Sequence, residues 1–215
     1  MDILTKLEKE VYIADYPHLG TYACRIIVPN FSEIYLPEDL IWDNSNLALE
    51  FREDILNLHN LKNHELEDLL ERLEESDKDD YTLISELIGV AFEEASTWGR
   101  LTICELKLLV HLALQNYQDA KNYCQQLITF NDNTVDRRKF FQALNVMLDI
   151  TLLDLDFEDY KLNLERMYDE MLISNTRASI DGKVRFFGLT PTCLNLSGIE
   201  KHQRLIESFR KLKID

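Results

Sequence analysis

The residue types that could do chemistry in this 215-residue chain are few and scattered. His64-Glu65 opens like a zinc-protease helix, in which two histidines four residues apart hold the metal and the glutamate acts as base, but Asp68 stands where the second histidine belongs. That substitution removes a ligand and leaves two surface residues. His111 falls on the polar stripe of a helix-patterned segment and reads as a hydrogen-bonded or partly exposed histidine rather than a base. Asp15 and His18 flank Pro17, a setting in which an aspartate fixes a turn more often than it moves a proton. Arg25 is the one charge within an apolar strand pattern. It either pairs with a carboxylate across a domain boundary or sits at an edge in water. Cys24, Cys104, Cys124 and Cys193 are widely spaced and lack any Cys-x-x-Cys or Cys/His ligand pattern, so they read as buried reduced thiols. There is no Gly-rich phosphate loop, no Gly-x-Ser-x-Gly and no His-Glu-x-x-His, and six glycines argue against a phosphate cradle. The expectation is a protein with no cofactor, no metal and no catalytic residues.

Charge narrows the partners. A net charge of −16 excludes a nucleic-acid binder acting alone, because phosphate contacts need a basic surface. The acid is concentrated in Glu65, Glu67, Asp68, Glu71, Glu74, Glu75, Asp77, Asp79 and Asp80, opposed only by Arg72 and Lys78. That run is either a solvated helix face or a field that steers a cationic partner. Toward the C-terminus Lys201, Arg204, Arg210, Lys211 and Lys213 outnumber Glu200 and Glu207, which suits the end of a helix. A hydrophobic content of 46% with 29% charged residues is ordinary for a globular protein. No apolar run is long enough to span a bilayer, and the first ten residues lack the pattern of a signal peptide. A cytoplasmic location with no membrane partner is expected.

One segment breaks an otherwise helical pattern. Val11 to Asp15 and Tyr22 to Val28 carry the β-branched and aromatic residues of strands, and Pro17 and Gly20 punctuate the connection. Tyr22, Cys24, Ile26 and Val28 fall on one face of the second strand and Ala23, Arg25 and Ile27 on the other, so both faces are largely apolar. An isolated two-stranded ribbon is marginal in water, and apolar open edges recruit further strands. The segment therefore reads as part of a larger sheet. Val11, Ile13, Arg25, Ile26 and Val28 are the candidate interaction residues.

Beyond about residue 40 the spacing is helical. Leu66, Leu69, Leu70 and Leu73 follow i, i+3, i+4, i+7, and Ile84, Leu87, Ile88 and Ala91 repeat it, predicting two amphipathic helices. Leu101 to Gln115 is apolar nearly all round except for Lys107, His111 and Gln115, which predicts a central helix covered on several sides. A helix over Tyr117 to Phe130 follows. Arg137, Phe141, Leu144, Leu148, Leu152 and Leu155 trace a long one, and Phe157, Tyr160, Leu164, Met167, Tyr168 and Met171 mark its partner. A closing helix starts at Ser197, in capping-box spacing to Glu200, with His202, Leu205, Ile206, Phe209 and Leu212 on its inner face. In the loop before it, Phe186 and Phe187 read as core anchors beside Arg185 and Gly188.

The helices also echo one another. Leu112 to Phe130 resembles the turn and second helix of a tetratricopeptide repeat, with Ala120 at the small position where two helices touch. Leu152 to Tyr168 repeats it at an offset of 40 residues, from Tyr117 to Phe157, with Tyr160 in place of Ala120. The offset exceeds the usual ~34, so the repeats are degenerate, and a stack this short needs caps at its ends.

The ribbon carries a further resemblance. KEVYIADYPHLGTYACRIIVPNFSEIYLPEDL, Lys9 to Leu40, resembles the closing segment of the catalytic domain in the YcaO family, where an Asp-containing strand precedes a strand ending in Val-Pro-Gly. Here Asn30 replaces that glycine, and asparagine tolerates positive φ better than other residues bearing a Cβ. From Asp54 onward, Ser85-Glu86-Leu87-Ile88-Gly89, Gly99-Arg100-Leu101, Glu105-Leu106-Lys107 and Phe187-Gly188-Leu189 resemble the C-terminal helical region of a bacterial branch of the family. That branch is regarded as an accessory factor for β-methylthiolation of an aspartate in the twelfth small-subunit ribosomal protein. In the family, ATP and magnesium are held by residues preceding this segment, and none of those motifs falls within the chain. The resemblance thus implies a C-terminal piece without the ATP-binding region. The ending Lys213-Ile214-Asp215 lacks the proline-rich terminus of the azoline-forming branch, which favours the accessory branch.

Together these readings give a mainly α fold of stacked, tetratricopeptide-like helical hairpins with a short N-terminal β segment. Residues 1–40 are the terminal β segment of a YcaO-type catalytic domain, and residues 41–215 the helical domain. Two functions follow. The first is a non-catalytic interaction or dimerisation part of a YcaO-like accessory factor, with the remaining catalytic domain or a second copy as protein partner, and the ribosomal protein or its methylthiotransferase as a further one. The second is a stand-alone helical-repeat adaptor that binds a peptide or protein.

Overall fold

In the computed structural model the described residues are 11–15, 24–28, 49–129, 135–192, 196 and 198–212. Expectations resting on Pro17, His18, Gly20, Tyr22, Asn30, Cys193 and Ser197 lie outside them, as do the side chains of Arg25, Phe209 and Leu212. The fold is mainly α. Strands β1 (Tyr12–Asp15) and β2 (Cys24–Ile27) pair antiparallel. Helices α1 (Leu49–Leu56), α2 (Asn63–Glu75), α3 (Ile84–Leu87), α4 (Thr97–Arg100), α5 (Ile103–Ala113), α6 (Tyr117–Thr129), α7 (Val135–Leu152), α8 (Phe157–Met167), α9 (Glu170–Ile180) and α10 (Glu200–Leu212) follow. No helix among the described residues is long and apolar enough to cross a membrane.

Helix α5 is the centre of the molecule because its sequence gives it only a narrow polar stripe to show to water. Every side chain from Ile103 to Leu112 is buried, and α2, α6 and α9 all pack against it. Thr102 caps its start, the hydroxyl accepting from the Glu105 amide at 3.2 Å. The leucine stripe of α2 behaves as its spacing predicts, with Leu66, Leu69, Leu70 and Leu73 all buried. Glu65 Oε2 accepts from the Lys62 amide at 2.7 Å and steadies its first turn.

One type of reversal joins these helices. The Asn116 amide donates to the His111 carbonyl at 2.9 Å across Gln115, and the Leu155 amide to the Ile150 carbonyl at 3.0 Å across Asp154. Gln115 and Asp154 have φ of 61° and 52°. Each is a left-handed residue closing a helix so that the orphaned carbonyls are satisfied while the chain turns back. The echo at Tyr117 and Phe157 thus follows two equivalent turns. The two pairs differ in intimacy: Ala120 is fully buried between α5 and α6, whereas Tyr160 is 37% exposed.

Several predicted faces need correction. The segment with Ile84, Leu87 and Ile88 is buried as expected, but its helix stops at Leu87 because Gly89 takes φ 61° and the Val90 amide folds back onto the Ser85 carbonyl at 3.0 Å. The predicted line on α7 stays buried as far as Leu148, and Ile150, off that line, is buried too. Leu152 and Leu155 are 37% and 40% exposed, where the chain leaves α7 and turns toward α8. On that helix Leu164 is buried, while Met167 and, just beyond it, Met171 face outward. On α10 His202 is buried, but Leu205 is 57% exposed because it rims an open groove with Ala91 and Ala95 instead of packing inward. Cys24 is exposed, unlike Cys104 and Cys124, since it lies on the uncovered face of the ribbon.

Candidate functional site

The ribbon's register places Tyr12 opposite Ile27, Ile13 opposite Ile26, Ala14 opposite Arg25 and Asp15 opposite Cys24. Directly opposed residues project to the same side of an antiparallel pair, so Ile13 and Ile26 form one cross-strand apolar pair with Cys24 beside it. Ile13 is 53% and Ile26 56% exposed. Two isoleucines in register would normally be the middle of a packed sheet face, and among the described residues no third strand joins them. Val11 is half-buried, while Val28 is 4% exposed and so offers no free surface. Arg25 keeps its place in the ladder opposite Ala14. The arrangement is suited to adding strands and burying an apolar face. Among the described residues no group of His, Cys, Asp and Glu could hold a metal.

The other sequence candidates are dispersed. His64 is exposed on α2, and its neighbour Glu65 is engaged in the cap. The resemblance-bearing segments turn out to hold the fold together. Arg137 of α7 donates Nε to Glu105 Oε1 of α5 at 2.6 Å, lies against the Phe140 and Phe141 rings, and reaches the Phe187 carbonyl at 3.4 Å. Gly188, at φ 85°, leaves room for that guanidinium: a Cβ there would fall 3.0 Å from Arg137 Nη1. Arg52 of α1 donates to the Ile88 and Gly89 carbonyls at 2.7 and 2.9 Å, closing the end of α3. Gly99 lies so close to the Glu93 carbonyl that a Cβ would come within 2.9 Å of its carbon. Phe186 anchors the core as expected, held at φ 56° with its ring edge-on to His59 at 5.4 Å.

A second feature was not visible as a site in the sequence. Glu67, Glu71 and Glu74 share one side of α2 at i, i+4, i+7 and face Asp119 and Tyr123 of α6 across a cleft of about 430 Å³. His111 of α5 lies at its inner wall, 6% exposed and stacked on the Tyr123 ring at 5.4 Å. This corrects the expected hydrogen-bonded or partly exposed histidine: α2 and α6 close over it, and neither ring nitrogen has a partner among the described residues. Burial pulls its pKa below the ordinary histidine value; Asp119 and Glu74 act in the opposite direction and Lys107 adds to the lowering. The imidazole is therefore neutral near pH 7. The helical spacing of the three glutamates was legible; their meeting with Asp119 and His111 was not.

Residues 48–214 match the YcaO cyclodehydratase C-terminal domain family. Over 224 residues the chain is 37% identical to the ribosomal protein S12 methylthiotransferase accessory factor YcaO of Escherichia coli, an alignment covering 99% of this chain and 37% of that protein. Over 220 residues it is 34% identical to an uncharacterized protein of Haemophilus influenzae, again covering 99% of this chain and 37% of the relative. The chain thus spans little more than a third of the length of the curated relatives it matches.

Proposed function

The chain belongs to the YcaO cyclodehydratase C-terminal domain family, and from that premise we propose that it is the non-catalytic interaction part of an accessory factor for β-methylthiolation of the twelfth small-subunit ribosomal protein. The observation that carries the reading is the exposed Ile13–Ile26 pair. A ribbon of this kind gains stability only when its apolar face is covered and its edges are paired. Its natural complement is the sheet of a YcaO-type catalytic domain, whose terminal strands residues 1–40 would supply. The ATP-binding region belongs to that complement, so this part contributes no catalytic group.

Residues 41–215 form the second unit, a stack of degenerate tetratricopeptide-like hairpins. Its contribution is association with a second copy. Support comes from α8 and its flanks, where Leu153, Leu162, Met167 and Met171 are 66%, 61%, 66% and 69% exposed. Large apolar side chains left in water are candidates for burial on association. A cytoplasmic setting belongs to the same proposal.

The test is co-expression of the chain with the preceding region of a YcaO-type protein, read by size-exclusion chromatography with light scattering. A stable complex is expected, lost on deleting residues 1–30 or on introducing Ile13→Arg with Ile26→Arg. Folded chain that elutes alone, unaffected by the co-expressed region, would sink the proposal.

A further inference from the structure

We propose that α8 is a flap: it leaves α7 and α9 and melts as one unit while the rest of the helical body stays folded. The inference goes beyond the association proposed above and holds for a single chain. Of the eleven residues of α8 only Leu164 is buried; Phe157 is half-buried and the others are exposed. The helices on either side are far better anchored. Met147, Leu148 and Ile150 at the end of α7, and Ile173, Thr176 and Ile180 along α9, are all buried. An open cleft of about 390 Å³, lined by Phe157, Lys161 and Glu165 of α8 and by Ile173 and Arg177 of α9, parts the two helices on one side.

Polar contacts add little. Among the described residues no hydrogen bond or ion pair joins an α8 side chain to another helix: Lys161 pairs at 3.8 Å with Glu158 of its own helix, and Asp156 Oδ1 accepts from the Glu158 amide at 3.0 Å. What crosses to the body is the Leu164 side chain and the Phe157 ring, whose centroid lies 4.5 Å from the Arg177 guanidinium. Burial of one leucine favours the docked form roughly tenfold to hundredfold, and an exposed cation–π contact adds about two- to fivefold. Unfolding a whole domain is opposed by equilibrium constants of about 10³ to 10⁸. The flap is therefore held less tightly than the body. A released helix this short does not persist in water, so release and loss of its backbone hydrogen bonds coincide. Joints stand at both ends: Asp154 takes φ 52° in the turn after α7, and Tyr168 is extended at φ −134° and ψ 152°. The chain can move there without unwinding α7 or α9. Opening bares Leu164 and its seat together, and a protein that binds either one draws the flap open.

Native-state hydrogen exchange on the full chain, followed residue by residue by nitrogen-proton correlation NMR, tests this. The amides of Lys161 to Met167 should exchange about a hundredfold or more faster than those of Leu106 to Val110 in α5, after correction for sequence, and their opening should hardly respond to urea below the global transition. Glu105→Ala, which weakens the body, should speed α5 exchange about a hundredfold or more and leave α8 exchange unchanged. Leu164→Ala should speed α8 exchange roughly tenfold. Should Glu105→Ala fail to fold, the urea series on the unaltered chain decides alone. The proposal is overturned if the α8 amides share the urea dependence of α5, if Glu105→Ala speeds both helices alike, or if Leu164→Ala leaves α8 exchange as it was.

Discussion

Arg137 reaches from α7 to Glu105 on α5, its Nε 2.6 Å from Oε1, and the pair is closed off by Phe140, Phe141 and the Phe187 carbonyl. It ties together three separate stretches of chain in a place water hardly reaches: the Glu105 side chain is 5% exposed. Removing one partner leaves the other charged and buried. Arg137→Ala or Glu105→Ala should therefore cost about 3–5 kcal/mol in urea denaturation. Replacing both, as Arg137→Met with Glu105→Leu, should recover most of that loss, since an apolar pair of similar volume carries no desolvation penalty. A double variant as unstable as the worse single one would show that the ion pair is not the source.

Gly99 and Gly198 form a matched comparison. A Cβ at Gly99 meets the backbone of Glu93 and Glu94, which cannot rotate away as a side chain could, whereas a Cβ at Gly198 meets nothing within 4 Å. Gly99→Ala should lower stability by about 1–3 kcal/mol. Gly198→Ala should stay within about 0.5 kcal/mol of the parent. Both are read from the same chemical denaturation curves.

Acid should loosen the docking of α10. His202 Nδ1 accepts the Ala91 amide at 3.2 Å, which requires an unprotonated nitrogen, and burial, with Arg52 nearby, pulls its pKa below the usual 6.5. His59, half-buried beside Arg185, and His111 are shifted the same way, chiefly by desolvation. Below pH 6.5 the unfolded chain binds protons that the folded chain refuses. Stability should therefore be highest above that value and decline from pH 7 toward pH 5, before carboxylate titration begins. His202→Gln should flatten part of the slope, by at most about 1.4 kcal/mol per pH unit. Denaturation midpoints at stepped pH measure it, and an unchanged slope in the variant would refute the assignment.

Thiol reactivity should divide the cysteines. Burial pushes the Cys104 and Cys124 thiols up to about 12, Asp80 adding to the effect at Cys104 and Cys104 itself at Cys124. The Cys124 thiol also points at the Phe141 carbonyl, 3.1 Å away. In a Cys193→Ser background at pH 8, a disulfide reagent should modify Cys24 rapidly and the other two only after denaturation. Mass spectrometry of the labelled peptides reads the result directly.

Local sequence by itself determined the helices with a one-sided pattern and the strand character of Tyr12–Asp15 and Cys24–Ile27. The leucines of α2 and the apolar residues that surround most of α5 state their own burial, since their spacing matches the helical repeat. The ribbon's apolar residues likewise announced a surface wanting cover, and Ile13 and Ile26 are the ones left open. Tertiary structure alone decided which polar residues are enclosed and which apolar ones are not. Lys107 and His111 fall on the polar stripe of α5, yet both are buried, as is the carboxylate of Glu105. Leu205 and Met167 look like core, yet both stay more than half exposed. Periodicity reports the apolar arc of one helix; it holds no information about the neighbour that arrives there from 32 residues away, as Arg137 does for Glu105, or from 111, as His202 does for Ala91. The meeting of Glu74, Asp119 and His111 is of that second kind, because it exists only once three helices have packed.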